Sequence, residues 1–301
     1  MLIFGAAPAP GAPGPGAWQK RAPVPTARTE VAAAALDGKI YVIGGYQKGA
    51  GRVEEYDPAK NSWRPRAALP AALHHAGAAA VNGKLYVVGG FISGKGAVDT
   101  VYEYDPAADR WKSKAPLPTA RGALAVGAIA GKIFAVGGLG AGDKDTSANE
   151  AYDPAQDRWI KRAPLPAPRD HLAVAALDGK LYAVGGRVNG RHDRNLADAE
   201  QYDPATDRWK KLPPLPTARS GSAAAALDGK IFIFGGETAR ATFDTVESYD
   251  PGKNRWQRWA PMPTPRHGLG AAALGRSIYT LAGGPRPDAT FSSANEVFTP
   301  Q

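Results

Sequence analysis

The chain has 301 residues and a formal net charge of +9 at pH 7. It contains no cysteine, which excludes disulfides, a thiol nucleophile and cysteine-ligated metals, and which leaves the redox compartment open. No apolar run approaches the roughly 20 residues that a membrane-spanning helix needs. The 36 glycines and 27 prolines are typical of many short strands joined by tight turns.

The first segment, residues 1–17, is rich in Ala, Pro and Gly and predicts a flexible leader. It has no basic residues at its start, and Pro8 interrupts the short apolar stretch, so it is not an intact signal peptide. We interpret it as the remnant of an exported form, which favours an extracytoplasmic location over a cytoplasmic one. Residues 18–301 are predicted to form a single domain.

An internal repeat of close to fifty residues follows the leader. Each copy predicts four strands, a to d. Strand a is Ala-rich and ends at a tight turn such as Asp37-Gly38, where both residues favour positive φ. Strand b, such as residues 40–43, ends at a glycine doublet. Strand c carries a Glu-x-Tyr pattern, an Asp-Pro turn follows it, and strand d begins at a tryptophan. The doublets are Gly44-Gly45, Gly89-Gly90, Gly137-Gly138, Gly185-Gly186 and Gly235-Gly236, with Ala282-Gly283 in the sixth copy.

The sixth copy stops at Gln301 before any tryptophan, and the missing piece lies at the other end of the chain. Trp18 leads to Pro25 with the same spacing that separates Trp111 from Pro118. The N-terminal strand is therefore expected to close the last blade, which leaves no open seam. The predicted fold is all-β, a six-bladed propeller with four antiparallel strands per blade.

The order Gly-Gly, Tyr-Asp-Pro and Trp, repeated from Trp18 to the C-terminus, resembles the kelch-repeat family. That resemblance implies an interaction module that binds peptides or proteins on its loop face, and a stand-alone protein of the bacterial type. Some relatives are enzymes. The copper and Tyr–Cys chemistry of the galactose-oxidase branch is excluded because cysteine is absent, whereas six-bladed kelch proteins that epimerise sialic acid suggest Glu237 and Arg240 as candidates.

Several repeated residues look chemical but are interpreted as scaffold. A glutamate recurs two residues before the repeat tyrosine, and its strict position indicates structural hydrogen bonding. Its copies are Glu54, Glu150, Glu200, Glu247 and Glu296. The positive charge concentrates on strand d, where charged side chains protect blade edges from aggregation. Because this charge is spread around the whole rim, we do not expect nucleic-acid binding.

Strand direction predicts where function lies. Since neighbouring strands are antiparallel, the d–a connections and the b–c loops share one end of the propeller, called the loop face here. The b–c loops vary from residues 46–53 to residues 187–199, and variable loops on a rigid scaffold are common binding sites. The d–a connections add a ring of arginines: Arg28, Arg121, Arg169, Arg219 and Arg266, with Leu73 in their place in blade 2.

Two interpretations of the arginine ring remain open, ligand binding and ties within the scaffold, because the guanidinium fork suits both. The residues beside it break the repeat and are the stronger candidates: Glu30, His74, His75, Asp170, His171, Ser220 and His267. Together with the arginines they predict a polar, partly cationic pocket for an anionic or polyhydroxylated ligand or an acidic peptide.

A binding module is the favoured function, with a sugar-directed epimerase or mutarotase as the alternative. A metal on Glu30, His75 and His171 is considered because these residues share one repeat offset in blades 1, 2 and 4, but a metal-free pocket without a cofactor is favoured. The expected partner is a protein, a peptide or a small sugar-like ligand. We expect a monomer.

Overall fold

The structure, a computed structural model, describes residues 14–46 and 51–300. The predicted leader lies outside the described residues except for residues 14–17. There the Pro15 carbonyl accepts a hydrogen bond of 3.1 Å from the Ala260 amide, and the first strand begins at Ala17. Within the described residues no helix has the length and apolar character to cross a membrane.

The strands group into six blades, each an antiparallel sheet. The first strand in the chain is β1 (Ala17–Lys20). Blade 1 contains β2 (Ala32–Leu36), β3 (Lys39–Ile43), β4 (Val53–Asp57) and β5 (Ser62–Arg66). Blade 2 contains β6 (Gly77–Val81), β7 (Lys84–Val88), β10 (Val101–Asp105) and β11 (Arg110–Ser113), with the small hairpin β8 (Phe91–Ile92) and β9 (Gly96–Ala97) in its b–c loop. Blade 3 contains β12 (Ala125–Ile129), β13 (Lys132–Val136), β14 (Asn149–Asp153) and β15 (Arg158–Lys161), with a 3-10 turn at Ala141–Asp143.

The second half of the chain repeats this arrangement. Blade 4 contains β16 (Ala173–Leu177), β17 (Lys180–Val184), β20 (Ala199–Asp203) and β21 (Arg208–Lys211), with the hairpin β18 (Arg187–Val188) and β19 (Arg191–Asn195). Blade 5 contains β22 (Ala223–Leu227), β23 (Lys230–Phe234), β24 (Val246–Asp250) and β25 (Arg255–Arg258). Blade 6 contains β26 (Gly270–Leu274), β27 (Ser277–Leu281) and β28 (Asn295–Thr299), and its outer strand is β1.

The predicted closure of blade 6 is confirmed. Strand β1 pairs antiparallel with β28, and Trp18 lies opposite Phe298. The Trp18 indole donates a 3.0 Å hydrogen bond to the Ala260 carbonyl of blade 5, as Trp111 of blade 2 donates 2.8 Å to Ala67. The strand from the N-terminus thus makes the same contact between blades as the tryptophans in the other blades.

The glycine doublets let each blade approach the next one. The Gly45 amide donates a 2.9 Å hydrogen bond to the Leu73 carbonyl of blade 2. Gly44 has a φ of 61°, and a Cβ there would lie 2.5 Å from the Leu73 oxygen. Any side chain would therefore force the blades apart, and the left-handed backbone favours glycine independently.

The hydrophobic core lies between blades rather than within one. Tyr41 and Ile43 of blade 1, for example, cluster with Leu85 and Tyr104 of blade 2. The inner strands β2, β6, β12, β16, β22 and β26 surround a central channel, and adjacent members of this ring contact one another. Away from the loop face this channel is lined by alanines together with Val126, Gly127 and Val174. The polar chemistry of the channel is therefore confined to the loop face.

Candidate functional site

Each d–a connection brings three consecutive positions to the loop face. We call the first the anchor position: Arg28, Leu73, Arg121, Arg169, Arg219 and Arg266. The second is the bridge position: Thr29, His74, Gly122, Asp170, Ser220 and His267. The third is the ring position: Glu30, His75, Ala123, His171, Gly221 and Gly268. These three positions differ in burial and in chemistry.

The anchor arginines belong to the scaffold. All five are completely buried, and each forms an ion pair with the repeat glutamate of its own blade. In blade 3, Arg121 Nη1 lies 2.6 Å from Glu150 Oε2, while Nε and Nη2 donate to the carbonyls of Gly137 and Ala135. Burial lowers the pKa of Arg121 and Glu150 opposes that change. The sequence predicted that these arginines give the pocket a cationic lining. The structure instead encloses their guanidinium groups within their own blades, where each is paired with a glutamate.

Blade 2 replaces both members of this ion pair at once. Leu73 stands at the anchor position, and Tyr102 stands where the other blades have glutamate. Leu73 is completely buried and belongs with Tyr102 to one hydrophobic cluster. Since a lone buried charge is strongly unfavourable, the two charges have to be present or absent together. This pairing supports a structural role for the anchors and for the repeat glutamates.

The ring position closes a belt of backbone hydrogen bonds around the channel mouth. The amide of each ring residue in blades 2 to 6 donates to the ring carbonyl of the preceding blade, as from His75 to Glu30 at 3.1 Å and from Ala123 to His75 at 2.9 Å. The Val31 amide completes the belt with a 3.3 Å bond to Gly268. All six residues have left-handed φ values between 50° and 63°. The belt therefore holds the side chains of Glu30, His75 and His171 on a fixed backbone.

The bridge position pairs with the residue that follows each glycine doublet. The bridged pairs are Thr29–Tyr46, His74–Phe91, Gly122–Leu139, Asp170–Arg187, Ser220–Glu237 and His267–Gly284. This pairing places a second set of unlike residues at the mouth. Tyr46 and Phe91 were missed as site residues, and their constant place after the doublet is the signal that would have found them.

Arg187 is the centre of a buried polar network. Its Nε lies 3.2 Å from Asp170 Oδ1, its Nη1 lies 2.9 Å from Glu237 Oε1, and its Nη2 lies 2.9 Å from His171 Nε2. A guanidinium only donates, so His171 Nε2 is the acceptor and the ring proton sits on Nδ1. His171 Nδ1 then donates to Asp170 Oδ1. Contacts from His171 lower the pKa of Asp170 despite the opposing effect of burial.

His267 connects two carboxylates. Its Nδ1 lies 3.3 Å from Glu30 Oε1 and 3.4 Å from Glu237 Oε2, and its Nε2 lies 3.1 Å from the Asp288 carbonyl. Burial lowers the pKa of His267, but Glu30 and Glu237 raise it, and the net direction is upward. Burial opposes ionisation of Glu30 and Glu237 as well, yet the neighbouring histidines bring the pKa of each carboxyl below its ordinary value.

The two histidines of blade 2 form a neutral pair. His74 Nδ1 and His75 Nδ1 are 2.6 Å apart, so one ring donates to the other. Burial lowers the pKa of His75 to about 3, although Glu30 at 3.3 Å opposes the change. Desolvation likewise lowers the pKa of His74. Blade 2 thus presents uncharged imidazole nitrogens to the mouth at neutral pH.

A carboxyl pair lies beneath the blade 4 hairpin. Asp170 Oδ2 accepts a 2.7 Å hydrogen bond from the Gly190 amide, and Asp145 Oδ2 accepts one of the same length from the Asn189 amide. Burial and the Asp170 side chain raise the pKa of Asp145 to about 7. Asp145 is thus a further polar residue that sequence reasoning missed, because its approach to Asp170 joins loops from two blades.

Two adjoining cavities occupy the mouth. The outer cavity has a volume of about 210 Å³, and its lining includes Tyr46, Arg187, His192, Glu237 and His267. The inner cavity, of about 100 Å³, lies against the ring residues, and Glu30 and His75 line both. At the rim, the exposed rings of Tyr46 and Phe291 stack with centroids 6.4 Å apart. The mouth thus combines an aromatic edge with a polar interior.

The structure brings most of the symmetry-breaking candidates together. Glu30, His75, Asp170, His171 and His267 join one network through Arg187 and Glu237. Ser220 is completely buried, and its carbonyl accepts a 2.9 Å hydrogen bond from the Glu237 amide. Arg240 is exposed and is not among the residues that line either cavity.

One subset of the mouth has the composition of a metal site. Glu30, His75 and His171 each offer one ligand atom, and the three atoms lie within 4.8 Å of one another. Two imidazoles and a carboxylate are a donor set that transition metals use.

Comparison with known proteins agrees with this architecture. The family model for the KLHDC2/KLHL20/DRC7 Kelch-repeats domain matches residues 112–284. The family model for the Kelch motif matches residues 27–70 and 72–118. A search of curated proteins found no match. Among solved structures, one titled "Structure of YjhT" aligns with a TM-score of 0.80 and 16% sequence identity, covering 91% of this chain and 95% of that chain. At this identity the likeness shows the fold alone.

The fold and the site define a six-bladed β-propeller with a polar cavity at one mouth of its channel. Because the matching family models cover more than half of the chain, the chain belongs to the kelch-repeat family. Because 1080 chains of known structure share the fold, function has to be argued from the mouth itself.

Proposed function

We propose that the protein binds a small polyhydroxylated, sugar-like ligand in the outer cavity. The observation that carries this proposal is that hydrogen-bond acceptors and donors lie next to one another in the lining of this cavity. Glu237 there contacts Arg187 at 2.9 Å and His192 at 3.3 Å. A hydroxyl group both donates and accepts, so neighbouring hydroxyls can bond to carboxylate and guanidinium in turn.

The charge balance favours a neutral ligand over an anionic one. Arg187 is already bonded to Asp170 and Glu237, and the anchor arginines are buried within their own blades. Glu30 and Glu237 also line the cavity. An incoming carboxylate would approach these two acidic groups without an unpaired arginine among the lining residues that the structure describes. Among the ligand classes predicted from sequence, the polyhydroxylated class therefore fits better than an acidic peptide.

The size and the rim support a small ligand. The outer cavity of about 210 Å³ is below the roughly 300–1,000 Å³ of pockets that hold drug-sized molecules. Tyr46 is 40% exposed at its edge and stacks on Phe291. An aromatic face beside hydrogen-bonding groups suits a sugar, which has an apolar ring face and polar edges.

The test is titration calorimetry of the protein with neutral monosaccharides, sugar acids and an acidic peptide. Tyr46→Ala and His192→Ala alter the cavity, and Lys144→Ala is the matched control because this exposed residue lies in a b–c loop outside the cavity lining. We expect binding of neutral sugars to weaken at least about tenfold, or about 1.4 kcal/mol, in the two cavity variants and to stay unchanged in the control. Binding of the acidic peptide alone, or equal affinities in all variants, would refute the proposal.

One observation favours sugar isomerisation at the same site as a second candidate. His267 lies between Glu30 and Glu237, and these contacts raise its pKa while they lower those of the carboxyls. Such a set can supply an acid and a base, the pair that opening a sugar ring requires. NMR exchange spectroscopy checks this by measuring anomer interconversion with wild type and Glu237→Gln. Acceleration by wild type that is lost in the variant supports catalysis, and an unaccelerated rate leaves binding alone.

A further inference from the structure

Three ligand-type side chains converge on the channel mouth from blades 1, 2 and 4. Glu30, His75 and His171 occupy the same ring position, and their ligand atoms lie within 4.8 Å of one another. His75 Nε2 is 3.3 Å from Glu30 Oε2. In a tetrahedral zinc site with bonds of about 2.0–2.2 Å, neighbouring ligand atoms are roughly 3.4 Å apart. Glu30 and His75 already have this spacing. The ligand atom of His171 lies within 4.8 Å of both and reaches it by a small side-chain movement.

The backbone at these positions disfavours large side chains. Glu30, His75 and His171 have φ values of 54°, 55° and 50°, where residues other than glycine are strained by about 1–2 kcal/mol. Blades 5 and 6 have glycine at the ring position, and blade 3 has alanine. The belt of hydrogen bonds forms with those small residues too, so the scaffold does not require the glutamate and the histidines. Strain of this kind is common at functional sites.

The far nitrogen of each histidine already has a partner. His171 Nδ1 bonds to Asp170, and His75 Nδ1 lies 2.6 Å from His74 Nδ1. Metal-binding histidines regularly use their second nitrogen in this way, most often toward a carboxylate, because the contact fixes the ring orientation and its tautomer. Nε2 is therefore the nitrogen left for a metal in both residues: in His75 it faces Glu30, and in His171 it contacts Arg187.

We propose that Glu30, His75 and His171 form a binding site for a divalent transition metal ion, with Zn²⁺ as the best match. Two imidazoles and one carboxylate are the His₂Glu set of open zinc sites, whereas Ca²⁺ and Mg²⁺ prefer oxygen ligands. Glu30 and His75 line both cavities, so the remaining coordination position is accessible to water or to a hydroxyl of a bound ligand.

Arg187 is the neighbouring cation that the ion has to accommodate. It donates to His171 Nε2 at 2.9 Å, and the metal replaces this contact. Asp170 and Glu237 both contact the guanidinium, and they offset its charge and remain its partners when His171 turns to the ion. Substituting Arg187 is therefore not the cleanest test, since it would leave two buried carboxylates unpaired.

The test uses chelator-treated protein titrated with Zn²⁺ by calorimetry and with Co²⁺ by visible absorption. We expect one ion per chain, and at least tenfold weaker binding in each of His75→Ala, His171→Ala and Glu30→Gln. Alanine suits the belt, because Ala123 occupies it in blade 3. His192→Ala is the matched control, an imidazole of the outer cavity that is not in the cluster.

Thermal unfolding of each apo variant establishes that it is folded before its affinity is compared. Substoichiometric binding by wild type, or equal weakening in His192→Ala, would overturn the proposal. The site does not depend on sugar binding, because the titration uses the metal alone. Sugar titration of the chelator-treated protein tests the proposed function separately.

Discussion

The anchor and ring positions are two residues apart on the same d–a connection, yet they differ in almost every physical respect. At the anchor position, five blades have the same buried arginine paired with the same glutamate. At the ring position, the six blades share one backbone conformation but carry four residue types: glutamate (Glu30), histidine (His75 and His171), alanine (Ala123) and, in blades 5 and 6, glycine. The comparison shows that repetition marks the residues that stabilise each blade internally, and that variation on a constant backbone marks the residues available for chemistry.

Blade 2 sharpens this comparison because it departs from the repeat at both ends of the ion pair. Leu73 and Tyr102 join the hydrophobic cluster in place of Arg and Glu. The exchange shows that the scaffold needs the space filled and the charges balanced, rather than an ion pair as such. Breaking one partner should then be much worse than replacing both.

The largest expected effect comes from breaking an anchor pair. Arg121→Leu leaves Glu150 buried without its partner at 2.6 Å, and we expect the free energy of unfolding to fall by about 3–5 kcal/mol. The double variant Arg121→Leu/Glu150→Tyr copies blade 2 and should recover at least half of this loss. Urea denaturation measures both values, with the exposed Arg110→Leu as a control expected within about 0.5 kcal/mol of wild type. A double variant less stable than the single one would contradict the paired scaffold role.

A smaller effect, on binding rather than on folding, is expected at the rim. Tyr46 is 40% exposed, so Tyr46→Ala should change the free energy of unfolding by no more than about 0.5 kcal/mol. The same change should weaken sugar binding about tenfold, or about 1.4 kcal/mol. Parallel urea denaturation and calorimetry separate the two quantities. A large loss of stability with unchanged affinity would assign Tyr46 to the scaffold instead.

The ring strain can be measured at Ala123, the one ring residue that is neither glycine nor a residue with a polar side chain. Ala123 has a φ of 51°, and Ala123→Gly should raise the free energy of unfolding by about 0.5–1 kcal/mol, because relief of strain exceeds the added chain entropy. Ala128→Gly, within strand β12, is the control and should be destabilising by a similar amount. If both changes destabilise the protein equally, the backbone at the ring position is not strained.

A pH-dependent effect is expected at the carboxyl pair next to the mouth. Asp145 faces Asp170 and Arg187, and its pKa rises from 3.8 to about 7 in the folded protein. A raised carboxyl pKa means that folding favours the protonated form, so its contribution is complete below pH 3.8 and is lost as the pH rises through 7. Wild type should therefore lose stability relative to Asp145→Asn between pH 5 and pH 8.

Melting temperatures at several pH values check this, and the expected relative shift is on the order of 2–4 °C. Asp143→Asn, exposed in the same loop, controls for the loss of one negative charge. A constant difference between Asp145→Asn and wild type across this pH range would show that Asp145 ionises normally.

Much of the fold followed from the sequence, as particular residues show. The spacing from Trp18 to Pro25 predicted the closing strand, and Trp18 indeed bonds to blade 5 as the internal tryptophans bond to their neighbours. The histidines near the anchor position were correctly placed on the loop face. The role of the arginine ring was harder to predict, because sequence repetition alone does not show whether a guanidinium faces solvent or a carboxylate of its own blade. The joint replacement of the arginine by Leu73 and of the glutamate by Tyr102 in blade 2 is the sequence feature that indicates their pairing.

The sequence by itself determined the number of blades, their closure and the face on which unlike residues gather, because these depend on spacing along the chain. Only the tertiary structure decided that Arg187 joins Asp170, His171 and Glu237, and that Glu30 approaches His75. Closing the ring brings residues together that are many positions apart in the chain, and spacing alone does not specify their distance. Burial then sets which charges remain paired and which pKa values shift, so the chemistry of the mouth is a property of the closed ring.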